Sequence, residues 1–334
     1  MQNTNDIVMS GIRSTGFLHL GNFFGAINNY VRMQEKYKCF FMVADLHSLT
    51  THPDTRDLKS NVQRVLAENI ACGLDPEKAT LYCQSHVPET AEIYLFLNML
   101  AYKGELEKTA TFKDKVRQHP ENINAGLLTY PVLMASDILL HRASFVPVGK
   151  DQEQHLEMSR TFANRFNHRY GNVFPLPYAF NFGNELVKVP ALDGSGKMSK
   201  SENPNATIFL SDSDDLIRNK LKKALTDVAP TVAGSEKTPN IANLFYLMQL
   251  VSATDTVKKF DEDYSNCTIR YGDLKNQLAD DMIRFVAPIR EKSQLIFDDK
   301  DYLKQIMANG AANARESAAQ TLELVKRAMG LDYY

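Results

Sequence analysis

The run Ile7-Val8-Met9-Ser10-Gly11-Ile12, then Arg13-Ser14-Thr15-Gly16, then His19-Leu20-Gly21-Asn22, decides the fold. Six mostly apolar residues suit a short buried strand, and the polar turn ends it. From His19 to about Tyr37, residues Phe23, Ile27, Tyr30, Val31 and Gln34 recur near helical spacing, so a helix opens at the third string. Strand, small-residue turn and helix N-terminus present backbone N–H groups and a positive dipole end to a phosphate. His19 is placed to bond a phosphate oxygen, and Gly21 lets a base or ribose lie against the backbone.

Outward from that unit the pattern repeats. Cys39 to Leu46 is a continuous apolar run closed by a carboxylate and His47, as expected of a central parallel strand. A helix follows over about 55–71 and stops at Gly73, and 79–84 reads as a third strand. This βαβαβ order predicts a Rossmann-like, doubly wound parallel α/β sheet whose ligands sit at the C-terminal strand ends. A helical pattern covers 90–119, a strand ends at Gly149, and 186–192 reads as a last strand. From Ser213 onward every periodic segment is helical, at about 213–225, 240–253, 254–263, 271–297 and 299–329. The predicted division is 1–205 for the α/β domain and 206–334 for an all-helical one, with the last helix packing back on the first domain.

The 334 residues, 44% hydrophobic and 23% charged, describe an ordinary folded chain with room for a large core. No apolar run nears the roughly 20 residues of a membrane span, and the N-terminus lacks the pattern of a signal peptide. Cys39, Cys72, Cys83 and Cys267 form no C-x-x-C, which argues against a zinc knuckle or disulfide framework and for a reducing cytoplasm. At a formal net charge of −2, a nucleic-acid partner has to be held by local basic patches. The chain contains no tryptophan.

Several residues stand out chemically. Gly194-Ser195-Gly196-Lys197-Met198-Ser199-Lys200-Ser201 puts two lysines and two serines on a glycine-entered loop, suited to an anion that is bound, stabilised and released. Phe112-Lys113-Asp114-Lys115-Val116-Arg117 is a small basic cluster. Asp137 is an acid in the apolar helical run 127–140, with Met134 on the same face. A buried carboxylate is costly unless bonded, so Asp137 either pairs with a nearby arginine or caps a backbone, or it accepts from a ligand N–H or O–H. Gly149 allows close backbone approach, and Asp151 and Gln152 open the next helix at the strand ends, where an acid commonly binds ribose.

Taken together the strings resemble those of class I aminoacyl-tRNA synthetases, and specifically the bacterial-type tryptophanyl-tRNA synthetases. The resemblance rests on Ser10 to Gly25, Gly104 to Glu107 with Phe112 to Lys115, Asn124 to Leu140, Val146 to His155, and Lys197 to Ser201. It implies activation of L-tryptophan by ATP, then transfer of the tryptophanyl group to tRNA(Trp), with Mg2+ on the phosphates. Lys197, Lys200, Ser199, Ser201, His19 and Lys115 are the implied catalytic residues. ATP would be held by Arg13, Ser14, Thr15, His19, Gly21, Asn22, Gly149, Lys150, Asp151, Lys188, Val189 and Lys197 to Ser201, Met198 included. Asp137 would accept the indole N–H. Met134, Met9, His47, Val146 and Val148 would enclose the ring, and Tyr130 and Gln152 would hold the ammonium group. The resemblance further implies a homodimer, a cytoplasmic location and anticodon recognition by the helical domain. Arg13-Ser14-Thr15 replaces the family's usual Gln-Pro-Ser, Lys150 stands where an acid is common, and the lead into the late motif is glycine-rich. The alternatives are a tyrosyl synthetase, another nucleotidyltransferase of the superfamily and a non-catalytic RNA-binding paralogue.

Overall fold

The structure is a computed structural model that describes residues 6–14, 16–50, 54–118, 120–121, 123–149, 153–180, 187–199 and 203–333. Thr15, Lys150, Asp151, Gln152, Lys200 and Ser201 lie outside the described residues. The chain forms two compact units, each assembled from discontinuous segments. One comprises 1–16, 29–185 and 299–334, and the other 17–28 and 186–298.

The first unit holds a five-stranded sheet: β1 Ile7–Arg13, β2 Lys38–Ala44, β3 Ala79–Cys83, β4 Phe145–Val146 and β5 Tyr178–Ala179. All pairings are parallel and the order is β3-β2-β1-β4-β5. The winding reverses at β1, so the chain leaving β1 and the chain leaving β4 diverge at their C-terminal ends. That divergence opens the crevice where doubly wound sheets take ligands. Six of the seven residues of β2 are buried, because helices cover both faces of the sheet. The helix Ala125–Leu140 is capped by Asn124, whose side chain accepts from Leu127 N at 2.9 Å. It packs between Glu89–Asn98 and Glu153–Tyr170.

The C-terminal helix Lys300–Met329 lies on β3. Gly310 permits this approach: a Cβ there would stand 1.8 Å from the carbonyl oxygen of Leu81. Beside the contact His141 stacks on Phe40 at 4.1 Å, meets the Tyr82 hydroxyl at 2.9 Å and meets Ser317 Oγ of the C-terminal helix at 3.2 Å. Burial pushes His141 down to about 3, so its ring is neutral and bonds at both nitrogens without a buried charge.

In the second unit the segment after Gly16 pairs with 208–210. Leu20 N donates to Ile208 O at 3.1 Å and Leu210 N to Leu18 O at 2.9 Å. The helix expected from His19 forms as Leu20–Asn22, a π-helical turn Phe23–Ile27, and Asn28–Met33. The wider turn seats Phe23 and Phe24 on Phe285. The helices Asp214–Lys222 and Pro239–Val251 pack on the long helix Tyr271–Asp298, and Thr254–Ser265 packs on Pro239–Val251. Lys220 is buried here because Asp212 Oδ2 and Thr207 O receive its ammonium at 2.7 and 2.8 Å.

Two sequence expectations need correction. Residues 187–192 form no strand: Pro190 makes only an isolated bridge with Lys197, and its missing N–H cannot extend a ladder. The fifth strand is the two-residue β5, too short to show a period. The helical stretch 90–119 is three helices, Glu89–Asn98, Lys103–Leu106 and Ala110–Gln118.

Gly310→Ala drives a methyl group into the backbone of β3, and overpacking of this kind costs about 3 kcal/mol. Urea unfolding is the check. A loss well under 1 kcal/mol would mean that the helix lifts from the strand freely.

Candidate active site

In the first unit Tyr130, Met134 and Asp137 lie on one face of the helix Ala125–Leu140. Asp137 is 2% exposed. Two donors hold it: His47 Nε2 lies 2.9 Å from Oδ2, and Gln84 Nε2 lies 2.9 and 3.0 Å from Oδ1 and Oδ2. Burial raises its pKa above the usual carboxylate range, and His47 and Gln84 oppose that shift. The expected pairing with an arginine or a backbone cap is replaced, among the described residues, by His47 and Gln84.

His47 belongs to the short helix Asp45–Leu49 that follows β2, and Gln84 to the turn that follows β3. The Asp45 carboxylate ties the two by accepting from Ser85 N and Ser85 Oγ. Met9 on β1 and Val146 on β4 are in the same apolar cluster as the helix, with Met134 and Val148 packed at its edge. Of the residues expected around the indole, His47 meets the Asp137 carboxylate directly, and Met9, Val146, Met134 and Val148 belong to or pack against this one apolar cluster.

Tyr130 points elsewhere. Its hydroxyl meets His155 Nε2 at 2.6 Å, and Thr111 Oγ1 meets the same nitrogen at 3.1 Å. Burial pushes the phenol up to about 12, so it stays protonated. Lys115 Nζ stands 4.7 Å over the Tyr130 ring, a cation–π contact. Arg13 lies close enough for its charge to act on both Lys115 and Tyr130. Ser14 is buried and donates to Ser48 Oγ at 3.0 Å, and Ser48 donates on to Ala44 O. Gly149 follows β4 after Pro147 and Val148, at the C-terminal edge of the sheet.

In the second unit His19 and Asn22 form a capping box, with His19 N donating to Asn22 Oδ1 at 3.0 Å. The His19 ring packs on Gly21: a Cβ there would stand 2.7 Å from Cε1, so the ring would have to shift. The late motif enters this unit as a hairpin-like pair. Met198 N donates to Val189 O at 2.8 Å, Ala191 N donates to Gly196 O at 2.8 Å, and Lys197 bridges Pro190. Gly194 and Gly196 adopt φ of 72° and 125°, which a side chain would resist. Asp193 accepts from Ser195 N, Ser195 Oγ and Asn203 Nδ2, joining the two ends of the loop. Ser199 O accepts from Thr207 Oγ1 at 3.0 Å. Met198 and Val189 are buried, and Lys188 is exposed.

Sequence reasoning missed Gln84, His155, Asp193 and Asn203. The end of β3 was the available signal for Gln84, since ligand-facing groups gather at C-terminal strand ends. No local pattern marks the others.

The family model for tRNA synthetases class I (W and Y) matches residues 1–287. The tryptophan–tRNA ligase of Porphyromonas gingivalis is 55% identical over 326 residues, 97% of this chain and 99% of that protein. That of Clostridium tetani is 39% identical over 333 residues, 99% of this chain and 97% of that one. Among solved structures, the tryptophanyl-tRNA synthetase of Campylobacter jejuni complexed with ADP and tryptophan superposes with a TM-score of 0.88. It is 34% identical, over 97% of this chain and 100% of that chain.

Lys115 Nζ is buried with no hydrogen-bond partner among the described residues. Burial, then the charge of Arg13, pulls its pKa down to about 8. An unfolded lysine holds its proton to about pH 10.4, so between these values the unfolded state binds more protons and stability rises with pH. Below about pH 8 the destabilisation is present in full. Lys115→Met is therefore expected to melt above wild type at pH 7, with the gap closing towards pH 10. A gap that stays constant across that range would contradict the assignment.

Proposed function

The chain belongs to the class I tRNA synthetases of the tryptophan and tyrosine group, and we propose on that premise that it is a tryptophan–tRNA ligase. It activates L-tryptophan with ATP and transfers the tryptophanyl group to tRNA(Trp). The observation that carries the choice of amino acid is the Asp137 carboxylate, buried in an apolar helix and backed by His47 and Gln84. Such a carboxylate is an acceptor for an indole N–H. Phenylalanine leaves that acceptor unpaired, and a site of this kind discriminates strongly against it. Tyrosine also brings a donor and is excluded by ring size and depth.

The tryptophan carboxylate attacks the α-phosphate of ATP in line, forming the adenylate and releasing pyrophosphate. A ribose hydroxyl at the tRNA terminus then attacks the adenylate carbonyl and AMP leaves. Positioning and charge stabilisation carry both steps. Lys197, Lys200, Ser199 and Ser201 neutralise and bond the departing pyrophosphate. His19 and Asn22 hold phosphate oxygens, and Lys115 and Arg13 add positive charge. Gly149, Asp151, Lys188 and Val189 frame the adenosine, with Gly21 packed beneath it, and Tyr130 and Gln152 take the ammonium group. Magnesium binds chiefly through substrate phosphates in sites of this type and is expected to arrive with ATP. Among the described residues no three His, Cys, Asp or Glu side chains converge to cage an ion.

The segment 206–334 recognises the anticodon, and 1–205 binds ATP and tryptophan and forms a homodimer. Supporting the dimer, Leu95, Met99 and Tyr102 are exposed large apolar residues at spacings of four and three. Among the described residues no helix is long and apolar enough to cross a membrane, and the location proposed is the cytoplasm.

The deciding experiment is ATP–pyrophosphate exchange with tryptophan, tyrosine and phenylalanine side by side. Wild type is expected to exchange with tryptophan alone, and Asp137→Ala to lose that exchange or its selectivity. Exchange with tyrosine would keep the family and overturn the substrate, and no exchange would overturn the enzyme. Lys197→Ala is expected to slow exchange by about 10²–10³ while tryptophan still binds. Because the chain has no tryptophan of its own, the fluorescence of added tryptophan reports binding directly.

A further inference from the structure

The Asp137 carboxylate has more partners than burial alone requires, and their arrangement is directional. A carboxylate offers about four lone-pair directions. Gln84 Nε2, at 2.9 and 3.0 Å from the two oxygens, is nearly equidistant and stands where their inward-facing lone pairs converge. His47 Nε2, at 2.9 Å, bonds Oδ2 alone, and with Gln84 astride both oxygens the outward direction of Oδ2 is the one it can use. The direction left is the outward lone pair of Oδ1. Among the described residues no further donor approaches it.

Gln84 is fixed in the orientation this needs. It is wholly buried at 0% exposure. Its Oε1 accepts from the backbone N–H of His47 at 3.2 Å. That N–H requires an acceptor, so the amide cannot flip, and the NH2 end must face Asp137. The backbone that Gln84 grips is that of His47, so one amide sets both donors of the carboxylate.

We propose that Gln84 is the positioning residue for amino-acid selection. It holds the Asp137 carboxylate so that the outer lone pair of Oδ1 is the one open acceptor, while His47 closes Oδ2. This rests on the reading of Asp137 as the group that accepts the indole N–H. A ligand with no ring N–H meets an acceptor that cannot rotate away to another donor. Discrimination is thus built into the clamp as well as into the acid.

Two variants test it. Gln84→Met keeps the length and removes both hydrogen-bonding ends. Gln84→Glu keeps the shape and makes the donor depend on a proton. Beside Asp137 the introduced carboxyl shares one proton with it, and its pKa is raised by the like charge. Its donor form is therefore present at low pH and lost as pH rises. The other titratable groups facing this point are His47 and Asp45 on the helix Asp45–Leu49 and Tyr82 on β3, and wild type measured in parallel accounts for them.

Binding is read from the fluorescence of added tryptophan and catalysis from ATP–pyrophosphate exchange, at pH values from about 6 to about 9. Gln84→Met is expected to weaken tryptophan binding about tenfold and to narrow the tryptophan-over-phenylalanine ratio in exchange, with kcat within a few fold of wild type. Gln84→Glu is expected to bind nearly as wild type at the acid end and as weakly as Gln84→Met at the alkaline end. A residue that only braces the fold would not produce a pH profile confined to the carboxyl variant. Wild-type affinity and selectivity in Gln84→Met would overturn the proposal. So would a Gln84→Glu profile parallel to wild type, even if Gln84→Met does not fold. Failure of the wild type itself to bind or exchange tryptophan would instead overturn the substrate reading.

Discussion

The constraint around which the first unit is arranged is the cost of burying a carboxylate. Asp137 is in an apolar helix with almost no exposure, where an unpaired charge would be strongly unfavourable. The fold meets that cost with donors delivered from the C-terminal ends of two adjacent strands, His47 after β2 and Gln84 after β3. Both depend on the sheet: only because β2 and β3 run parallel and in register do their exits lie side by side. The short Asp45–Leu49 helix and the turn at Gln84–His86 are then locked together through Asp45 and Ser85. The binding group, the strands and the turns form one hydrogen-bonded assembly.

The second unit faces a different problem. The loop proposed above to bring Lys197 and Lys200 to a phosphate needs a defined resting place and freedom to leave it. Glycines at positive φ shape its entry, and Asp193 joins its two ends through Ser195 and Asn203. The Ser195 hydroxyl holds the Asp193 carboxyl below its usual pKa. Residues 194–197 are exposed, whereas Met198 is buried and its N–H holds the strand-like pair with Val189.

Much of this was legible from residue order. The strand that begins at Ile7, the continuous apolar run into Asp45 and the helices after Ser213 announce themselves through local period, and all are present. Asp137 was legible as an anomaly, an acid where the pattern demands an apolar residue. Other features left no local trace. Gly310 looks like an ordinary helix glycine until its Cα is seen against Leu81 O. Gly21 reads in sequence as room for a nucleotide, whereas what the structure places against it is the His19 ring. The two-residue β5 is too short to carry a period, while Val187 to Leu192 looks like a strand but contains a proline that cannot extend a ladder.

The sequence by itself determined the kinds of elements, their order and the chemical groups available, because periodicity, turn chemistry and motif strings act over a few neighbouring residues. It thereby determined a doubly wound parallel sheet followed by helices, and an acid and two lysines set apart from the core pattern. Only the tertiary structure decided which groups meet. His47 and Asp137 are 90 residues apart, Gln84 and Asp137 are 53 apart, and His47 and Gln84 are 37 apart. The physical reason is that a hydrogen bond is satisfied or lost over a few tenths of an ångström. Placement on that scale comes from the crossovers and register of the whole sheet, which no short stretch of chain encodes.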